Sequence, residues 1–177
     1  SEVARHKPDS RTEEIVRAFN IADVPIIKIF KHYHRNMYDS LRQGWDLLFK
    51  VFECTYLVNL DSDALIKYNW LEQLDQTFKM ASKRKRTCLV TGFNTQNHKT
   101  LSDQGLFYIK QSCGGINLFF HQKIYQPIIR PALHSIGWDH TVVENVRKHR
   151  GLIICTRPSV VQHIGKEGMW SDGTQMD

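Results

Sequence analysis

Two aspartates separated by a single residue stand at the end of an apolar run. Residues 56–66 read YLVNLDSDALI, so Asp61 and Asp63 follow a stretch that is typical of a buried strand. Two carboxylates held close together raise each other's pKa, and burial adds a further cost for the charged forms. A divalent cation would offset both effects, and oxygen ligands suit Mg²⁺ and Mn²⁺. The pair predicts a metal site, although a turn or a helix cap uses the same residue types.

A histidine stands in a later apolar stretch, SVVQHI at residues 159–164. Imidazole is a common metal ligand, yet a histidine in a strand is more often a hydrogen-bonded structural residue. His163 is therefore a candidate ligand on chemistry alone, with the structural role as the alternative. Gly165 follows it and predicts a flexible stretch, in which Lys166 could close over a diphosphate or remain solvated.

The elements that must position these residues alternate between apolar runs and amphipathic stretches. Amphipathic spacing predicts helices from residue 9 or 10 to about 19, from 36–39 to about 52, over 70–78 and over 138–146, with a broken helix around Pro127 and Pro131. Apolar runs predict strands at residues 25–30, 55–60, 88–93, 105–109, 116–120, 152–155 and 159–164. Such alternation is typical of an α/β fold with a mainly parallel sheet, in which Asp61 would end a central strand. Ligands bind at this end of the strands in such sheets.

The length and composition are typical of a single globular domain, residues 1–177. The chain has 177 residues, of which 41% are hydrophobic and 24% are charged. No apolar run approaches the roughly 20 residues of a membrane span, so we expect none. Four widely spaced cysteines lie in or beside apolar stretches, which predicts buried free thiols and favours a reducing compartment, the cytoplasm.

The net charge suits an anionic partner. The formal charge is +6, and nucleic acid is the first partner that a basic protein suggests. The densest basic run, KRKR at residues 83–86, follows a predicted helix and is interpreted as a solvated loop. The aromatic residues fall at helix-core or strand-core spacing and are not interleaved with Lys and Arg on one face. We therefore expect no nucleic-acid partner.

Four segments together resemble the nucleotide-sugar-dependent glycosyltransferases of the GT-A fold. NLDSDALIKYNWLEQL resembles their D-x-D strand and the leucine-rich helix after it. YDSLRQGWDLLF resembles the preceding helix, with Arg42 at the position of an arginine near the donor diphosphate. SCGGINLFF resembles the strand beside the donor sugar, with Gly114 and Gly115, and PSVVQHIGKEG resembles the strand whose histidine completes the metal site, here His163. The resemblance covers roughly residues 25–170 and extends to the small chlorovirus glycosyltransferases that decorate capsid glycans.

The resemblance implies a fold and a reaction. The fold would be a Rossmann-like GT-A domain, with a mainly parallel central sheet flanked by helices and without the first strand–helix–strand unit of about 30 residues that reads the nucleotide base. The reaction would be transfer of a sugar, with inversion, from a UDP-sugar donor to a glycan or another hydroxyl acceptor. Mn²⁺ or Mg²⁺ would be bound by Asp61, Asp63 and His163. Asp63 would be the direct ligand, while Asp61 reaches the ribose or the metal through water.

The resemblance also implies a general base. IGWDHTVVENV places Asp139 at the amino end of a helix after the glycine-rich strand, where inverting enzymes of this family carry the carboxylate that deprotonates the acceptor. Trp138 would form an apolar wall for the acceptor sugar. The alternative is that Asp139 only caps the helix. For Gly114 and Gly115, the alternative to a close approach by the sugar is a bulge or turn that needs a positive φ.

Two other functions remain open from the sequence. A sugar-phosphate nucleotidyltransferase of related architecture would use the same metal, although its glycine-rich phosphate loop is not visible here. A basic nucleic-acid-binding module would explain the charge without any metal. Calorimetry separates these classes: an enzyme of either kind should bind UDP with Mn²⁺, whereas a nucleic-acid-binding module should bind a single-stranded oligonucleotide.

Overall fold

The computed structural model describes residues 10–29, 36–84 and 88–164, which belong to two compact units. The first unit, Ser1–Asn36, contains helix α1 (Ser10–Ala18), as its spacing predicts. The predicted strand at residues 25–30 is wrong over 25–29, where the chain is irregular, and Phe30 lies outside the described residues. Its apolar side chains Ile27 and Ile29 are exposed and have no strand partner in the described part of this unit.

The second unit, Met37–Asp177, contains the candidate site. Its described helices are α2 (Met37–Lys50), α3 (Trp70–Ser82), the short α4 (Gln122–Ile124) and α5 (Trp138–Lys148). Its described strands are β1 (Tyr56–Leu60), β2 (Ala64–Ile66), β3 (Cys88–Thr91), β4 (Thr100–Asp103), β5 (Phe107–Lys110), β6 (Asn117–His121), β7 (Leu152–Thr156) and β8 (Val161–His163). A π-helical segment and a 3₁₀ turn continue α4 to Ala132, so the predicted broken helix is confirmed.

The strands form a mixed sheet, and the predicted Rossmann-like GT-A sheet, mainly parallel, is wrong. Six strands are ordered β1-β6-β3-β7-β5-β4, and β3 with β7 is the parallel pair. The other described pairs are antiparallel, including β2 with β8 in a separate two-stranded sheet. The physical reason lies between residues 88 and 121, where four strands follow one another without a helix. Parallel neighbours need a crossover of a dozen or more residues, so β4 and β5, which are joined by residues 104–106 alone, pair antiparallel, and β6 returns antiparallel to β3 and β1.

Strand β1 is an edge strand within the described residues and is not central. It pairs with β6 from Tyr56↔His121 to Leu60↔Asn117, and β6 separates it from β3. Tyr56 and Leu60, at its two ends, are exposed. Leu57 and Asn59 are buried and Val58 is partly buried, so a continuous apolar run does not by itself predict a central position in the sheet.

Helices cover both faces of the six-stranded sheet. On one face, Trp45 and Phe49 of α2 pack against Phe120, together with side chains of α5. On the other face, Leu74 and Phe78 of α3 lie in one buried cluster with residues of β3, β6 and β7. No described helix is long and apolar enough to cross a membrane.

The cysteines are free thiols, as predicted. Cys88, Cys113 and Cys155 are buried, and Cys54 is partly buried. Burial raises the pKa of Cys88 to about 11 and that of Cys155 to about 12. These thiols are protonated at neutral pH, which makes them poor nucleophiles and poor metal ligands.

An ion pair fixes α2 to the segment that follows α4. The carboxylate of Asp46 accepts hydrogen bonds from Arg130 at 2.9 Å through both oxygens and from Tyr125 at 2.8 Å, and it pairs with Lys50. Burial raises the pKa of Asp46, but these hydrogen bonds outweigh it and lower the pKa from 3.8 to about 2.

We expect Asp46→Asn to lower the free energy of unfolding at neutral pH by about 1–2 kcal/mol. Because the folded-state pKa of Asp46 lies below the unfolded one, its contribution is complete above about pH 4 and is lost as the pH falls toward 2. Urea titrations of both proteins from neutral to acidic pH measure this, and the two stabilities should converge at low pH. A constant difference across the titration would contradict it.

Candidate active site

A buried amide holds three strand ends together behind the site. The side chain of Asn117 is fully buried, donates to the carbonyl oxygen of Asn59 at 3.0 Å and accepts from the amide N–H of Gly92 at 2.7 Å. A Cβ atom at Gly92 would lie 2.7 Å from Val160 and 2.8 Å from Val161, so this position needs a glycine for space. Buried polar groups need hydrogen-bond partners within the protein. The hydrogen bonds of Asn117 therefore fix the ends of β1, β6 and β3 relative to one another.

Asp61 leaves β1 at this point and faces the glycine-rich segment. Its amide N–H donates to the carbonyl oxygen of Ile116 at 3.0 Å. The side-chain amide of Asn59 donates to Gly115 O at 2.7 Å and to Asp61 Oδ1 at 3.4 Å. Burial raises the pKa of Asp61, the hydrogen bond from Asn59 opposes it, and the charge of Asp63 raises it further. A cation near Asp61 would stabilise its charged carboxylate and so lower its pKa again.

Asp63 and His163 meet although they are a hundred residues apart. His163 Nε2 lies 3.0 Å from Asp63 Oδ2, with 13% and 46% of the two side chains exposed. The β2–β8 pair, with Ala64 opposite His163, creates this contact, and the amide N–H of Ile164 donates to Asp63 O at 2.9 Å. The predicted proximity of the two residues is confirmed. Their role as metal ligands stays a prediction.

The protein atoms available as metal ligands suit a cation that takes most of its ligands from a bound substrate and water. Across residues 10–29, 36–84 and 88–164, no group of three His, Cys, Asp or Glu side chains is close enough to hold a metal. Asp63 Oδ2 and His163 Nε2 together provide two donors, while Asp61 is turned toward Asn59. Mg²⁺ is commonly held by one or two carboxylates plus substrate phosphates and water. Two protein ligands fit that arrangement.

His163 has a second ring nitrogen with an unmet hydrogen-bonding capacity. Its Nδ1 is buried and has no hydrogen-bond partner among the residues that the structure describes. A proton on Nδ1 leaves Nε2 free to accept or to bind a cation, whereas a proton on Nε2 donates to Asp63. The tautomer of His163 therefore decides between an ion-pair role and a ligand role.

The glycine pair lies against the start of α5. A Cβ atom at Gly115 would lie 2.6 Å from Cζ2 of Trp138 and 3.5 Å from Cβ of Asp139. A Cβ atom at Gly114 would lie 3.5 Å from Nε2 of His98. Neither glycine has a positive φ, so the requirement at Gly115 is for space. Gly115 thus lies between Asn59, which also contacts Asp61, and Asp139.

Trp138 has a packing role. It is 3% exposed, and its ring lies 5.8 Å from that of Trp45, edge to face. Its other side contacts Gly115. With so little surface exposed, Trp138 supports the glycine pair from the core, which differs from the predicted wall for an acceptor sugar.

Asp139 lies in the first turn of α5 but is not its N-cap. The N-cap is Gly137, and Asp139 Oδ1 accepts from the amide N–H of His140 at 2.9 Å. Its negative charge raises the pKa of Asp61 and opposes the lowering of the pKa of His98, so the carboxylate lies in the same neighbourhood as both groups. This position fits a base that lies against Gly115.

Two predicted donor-binding residues are not joined to the site by described contacts. Arg42 forms an ion pair of 2.6 Å with Asp39 on its own helix, α2. Lys166 lies outside the described residues. Their roles at a diphosphate stay predictions.

Sequence reasoning missed Asn59, Asn117 and His98 as site residues. A signal was available for the two asparagines, since asparagine is depleted in strands and each interrupts an apolar run. A buried strand tolerates such a residue when its amide is hydrogen-bonded, as both are here. His98 has no comparable local signal, because it lies in an irregular segment before β4.

We expect Gly115→Ala to destabilise the protein by about 1–3 kcal/mol, because the added methyl group would overlap the Trp138 ring. Gly44→Ala in α2 is the matched control, since a Cβ atom there meets nothing within 4 Å. It should stabilise the protein by about 0.5–1 kcal/mol through helix propensity. Chemical denaturation measures both variants, and equal effects of the two would contradict the close contact.

Comparison with known proteins gives no family assignment. The chain matches no protein-family model, and no curated protein is significantly similar to it in sequence. Function is therefore inferred from the site residues.

Proposed function

We propose that this protein transfers a sugar from a UDP-sugar to a hydroxyl acceptor with a divalent cation, Mn²⁺ or Mg²⁺. The observation that carries the proposal is the contact of 3.0 Å between Asp63 and His163. A carboxylate and an imidazole meet beside a second aspartate, Asp61, at one strand end. A structural ion pair gives no reason for a second carboxylate close by, whereas a cation bound to a diphosphate is commonly held by one or two carboxylates.

Different groups around the D-x-D pair and the glycine pair would then hold different parts of the reaction. Asp63 and His163 hold the cation, which when bound offsets the charge that develops on the departing diphosphate. Asp61 would accept hydrogen bonds from the ribose or from water near the cation. The donor sugar would approach the backbone at Gly114, because the Trp138 ring already fills the space that a side chain would take at Gly115.

Asp139 acts as the general base. Its carboxylate takes the proton of the acceptor hydroxyl while the acceptor oxygen bonds to C1 of the sugar. The bond from C1 to the diphosphate oxygen breaks, and UDP leaves with that electron pair. A direct displacement of this kind inverts the configuration at C1.

Calorimetry tests the proposal on the unmodified protein. We expect UDP to bind in the presence of Mn²⁺ and to bind far more weakly in the presence of a chelator. A single-stranded oligonucleotide should not bind under the same conditions. Tight oligonucleotide binding without Mn²⁺-dependent UDP binding would favour a nucleic-acid-binding module instead.

A turnover assay separates the transferase from a nucleotidyltransferase. The protein is incubated with Mn²⁺ and either UDP-sugars or UTP with sugar phosphates, and the released product is identified. Release of UDP is expected from the first mixture. Release of pyrophosphate from the second mixture, with no UDP from the first, would show that bond cleavage occurs at the other phosphate.

A further inference from the structure

A polar cleft opens beside the candidate active site. Its volume is about 480 Å³, within the range of about 300–1,000 Å³ that ligand sites occupy. It lies between the segment that follows β3 and the β4–β5 hairpin. Six residues line it: Asn94, Thr95, Gln96, His98, Thr100 and Lys110.

A buried lysine holds the walls of this cleft in place. Lys110 is 5% exposed, and its Nζ donates to Asn94 Oδ1 at 2.8 Å, Thr100 Oγ1 at 3.1 Å and Thr95 O at 3.2 Å. An ammonium group has three donors, and these contacts direct all three to protein oxygens. The polar lining is therefore set before any ligand arrives, which is what a binding site needs for selectivity.

The cleft reaches the glycine pair through His98. His98 Nε2 approaches the backbone at Gly114, while the next residue, Gly115, abuts Asp139. Asp61 contacts the same pair through Asn59. The cleft thus reaches the glycine pair at Gly114, and the candidate base Asp139 lies against the neighbouring Gly115.

His98 presents a neutral imidazole to the cleft. Burial lowers its pKa, and the charges of Lys110 and His140 lower it further, so the ring is neutral at neutral pH. Its Nδ1 is 2.8 Å from Ser112 Oγ. Nε2 is then available to a ligand hydroxyl as a donor or an acceptor, according to the tautomer.

We propose that this cleft binds the acceptor of the transfer, and that the acceptor is a neutral, hydroxyl-rich molecule such as a sugar residue of a glycan. The lining offers side-chain amides, hydroxyls and an imidazole, which both donate and accept hydrogen bonds as sugar hydroxyls require. None of the six residues is a carboxylate, and the one cation is directed at protein oxygens. This inference rests on the proposed function, because it makes Asp139 the base for the bound hydroxyl.

NMR titration with simple sugars tests the inference directly. The probes are the methyl glycosides of glucose, galactose, mannose, fucose and xylose at millimolar concentrations, added to ¹⁵N-labelled protein. At least one should shift the amide signals of Gln96, His98 and Gly114. Gln96→Ala and His98→Ala should each weaken that binding by roughly 5–30-fold, the effect of one or two lost hydrogen bonds. Gln76→Ala, an exposed glutamine on α3, is the control and should leave the shifts unchanged.

The outcomes separate this inference from the proposed function. No shifts with any glycoside, shifts that survive both cleft variants, or shifts at this cleft with inorganic phosphate alone would overturn the inference. The UDP and Mn²⁺ titration of the same protein decides the proposed function independently. Mn²⁺-dependent UDP binding without glycoside shifts would therefore reject the cleft as the acceptor site and leave the transferase proposal standing.

Discussion

Replacing Asp139 with asparagine should lower the rate of sugar transfer by roughly 10²–10⁴-fold, the contribution expected of a general base. The amide of asparagine cannot take a proton from the acceptor hydroxyl at neutral pH. The acceptor oxygen would then attack C1 as a neutral alcohol. Steady-state kinetics with a UDP-sugar and the best acceptor measure the loss.

The geometry of α5 makes this variant informative. Gly137 is the N-cap, so the helix does not depend on Asp139 for its cap. Asp139 accepts a hydrogen bond from the amide N–H of His140, and the side-chain oxygen of an asparagine can accept the same bond. The helix and the Mn²⁺-dependent binding of UDP should therefore be retained. Glu144→Gln, on the exposed face of the same helix, is the matched control and should keep its turnover. Near-normal turnover in Asp139→Asn, or product with retained anomeric configuration, would remove Asp139 from the reaction.

Replacing Asp63 with asparagine should weaken Mn²⁺-dependent UDP binding by about 100-fold or more. Loss of residues that only support metal ligands costs about 10–100-fold, and loss of a ligand itself should cost at least as much. Asparagine can still accept a hydrogen bond from His163 Nε2, so the β2–β8 pair should form as before. The substitution removes only the negative charge of the carboxylate, which would face the cation. Calorimetry with UDP, with and without Mn²⁺, measures the effect.

Asp75→Asn is the matched control for the metal site. Asp75 forms an exposed ion pair of 2.5 Å with Lys79 on α3, and exposed pairs of this kind contribute little. Its replacement should leave both UDP affinity and the melting temperature nearly unchanged. Full Mn²⁺-dependent UDP binding by Asp63→Asn would show that the contact with His163 is structural.

Most of the helices and several strands could be predicted from local pattern. The stripe of Trp45 and Phe49 predicts α2, and the apolar spacing of Leu74 and Phe78 predicts α3, because one face of each helix must be buried. β2 and β4 were not predicted. β2 (ALI) is apolar but only three residues long, and β4 (TLSD) is mostly polar, so neither carries an apolar run long enough to predict a strand.

The order and direction of the strands could not be predicted in this way. β6 lies between β1 and β3 and is antiparallel to both, which makes β1 an edge strand in the described part of the sheet. A strand's apolar run records how well its faces are covered, and both orientations allow the same cover. Pairing depends on partners far away in sequence, whose choice is a property of the whole chain.

The sequence by itself determined that two aspartates end a buried strand and that a histidine closes a distant one, since residue type and apolar pattern are local properties. Only the tertiary structure decided that Asp63 meets His163, through the register of β2 with β8. It also decided that Gly115 contacts Trp138 and Asp139. The polar cleft at the β4–β5 hairpin likewise depends on the fold, which places His98 in its lining and next to Gly114. These contacts join residues that no local pattern relates, because strand pairing and helix packing bring them together only when the whole core is buried.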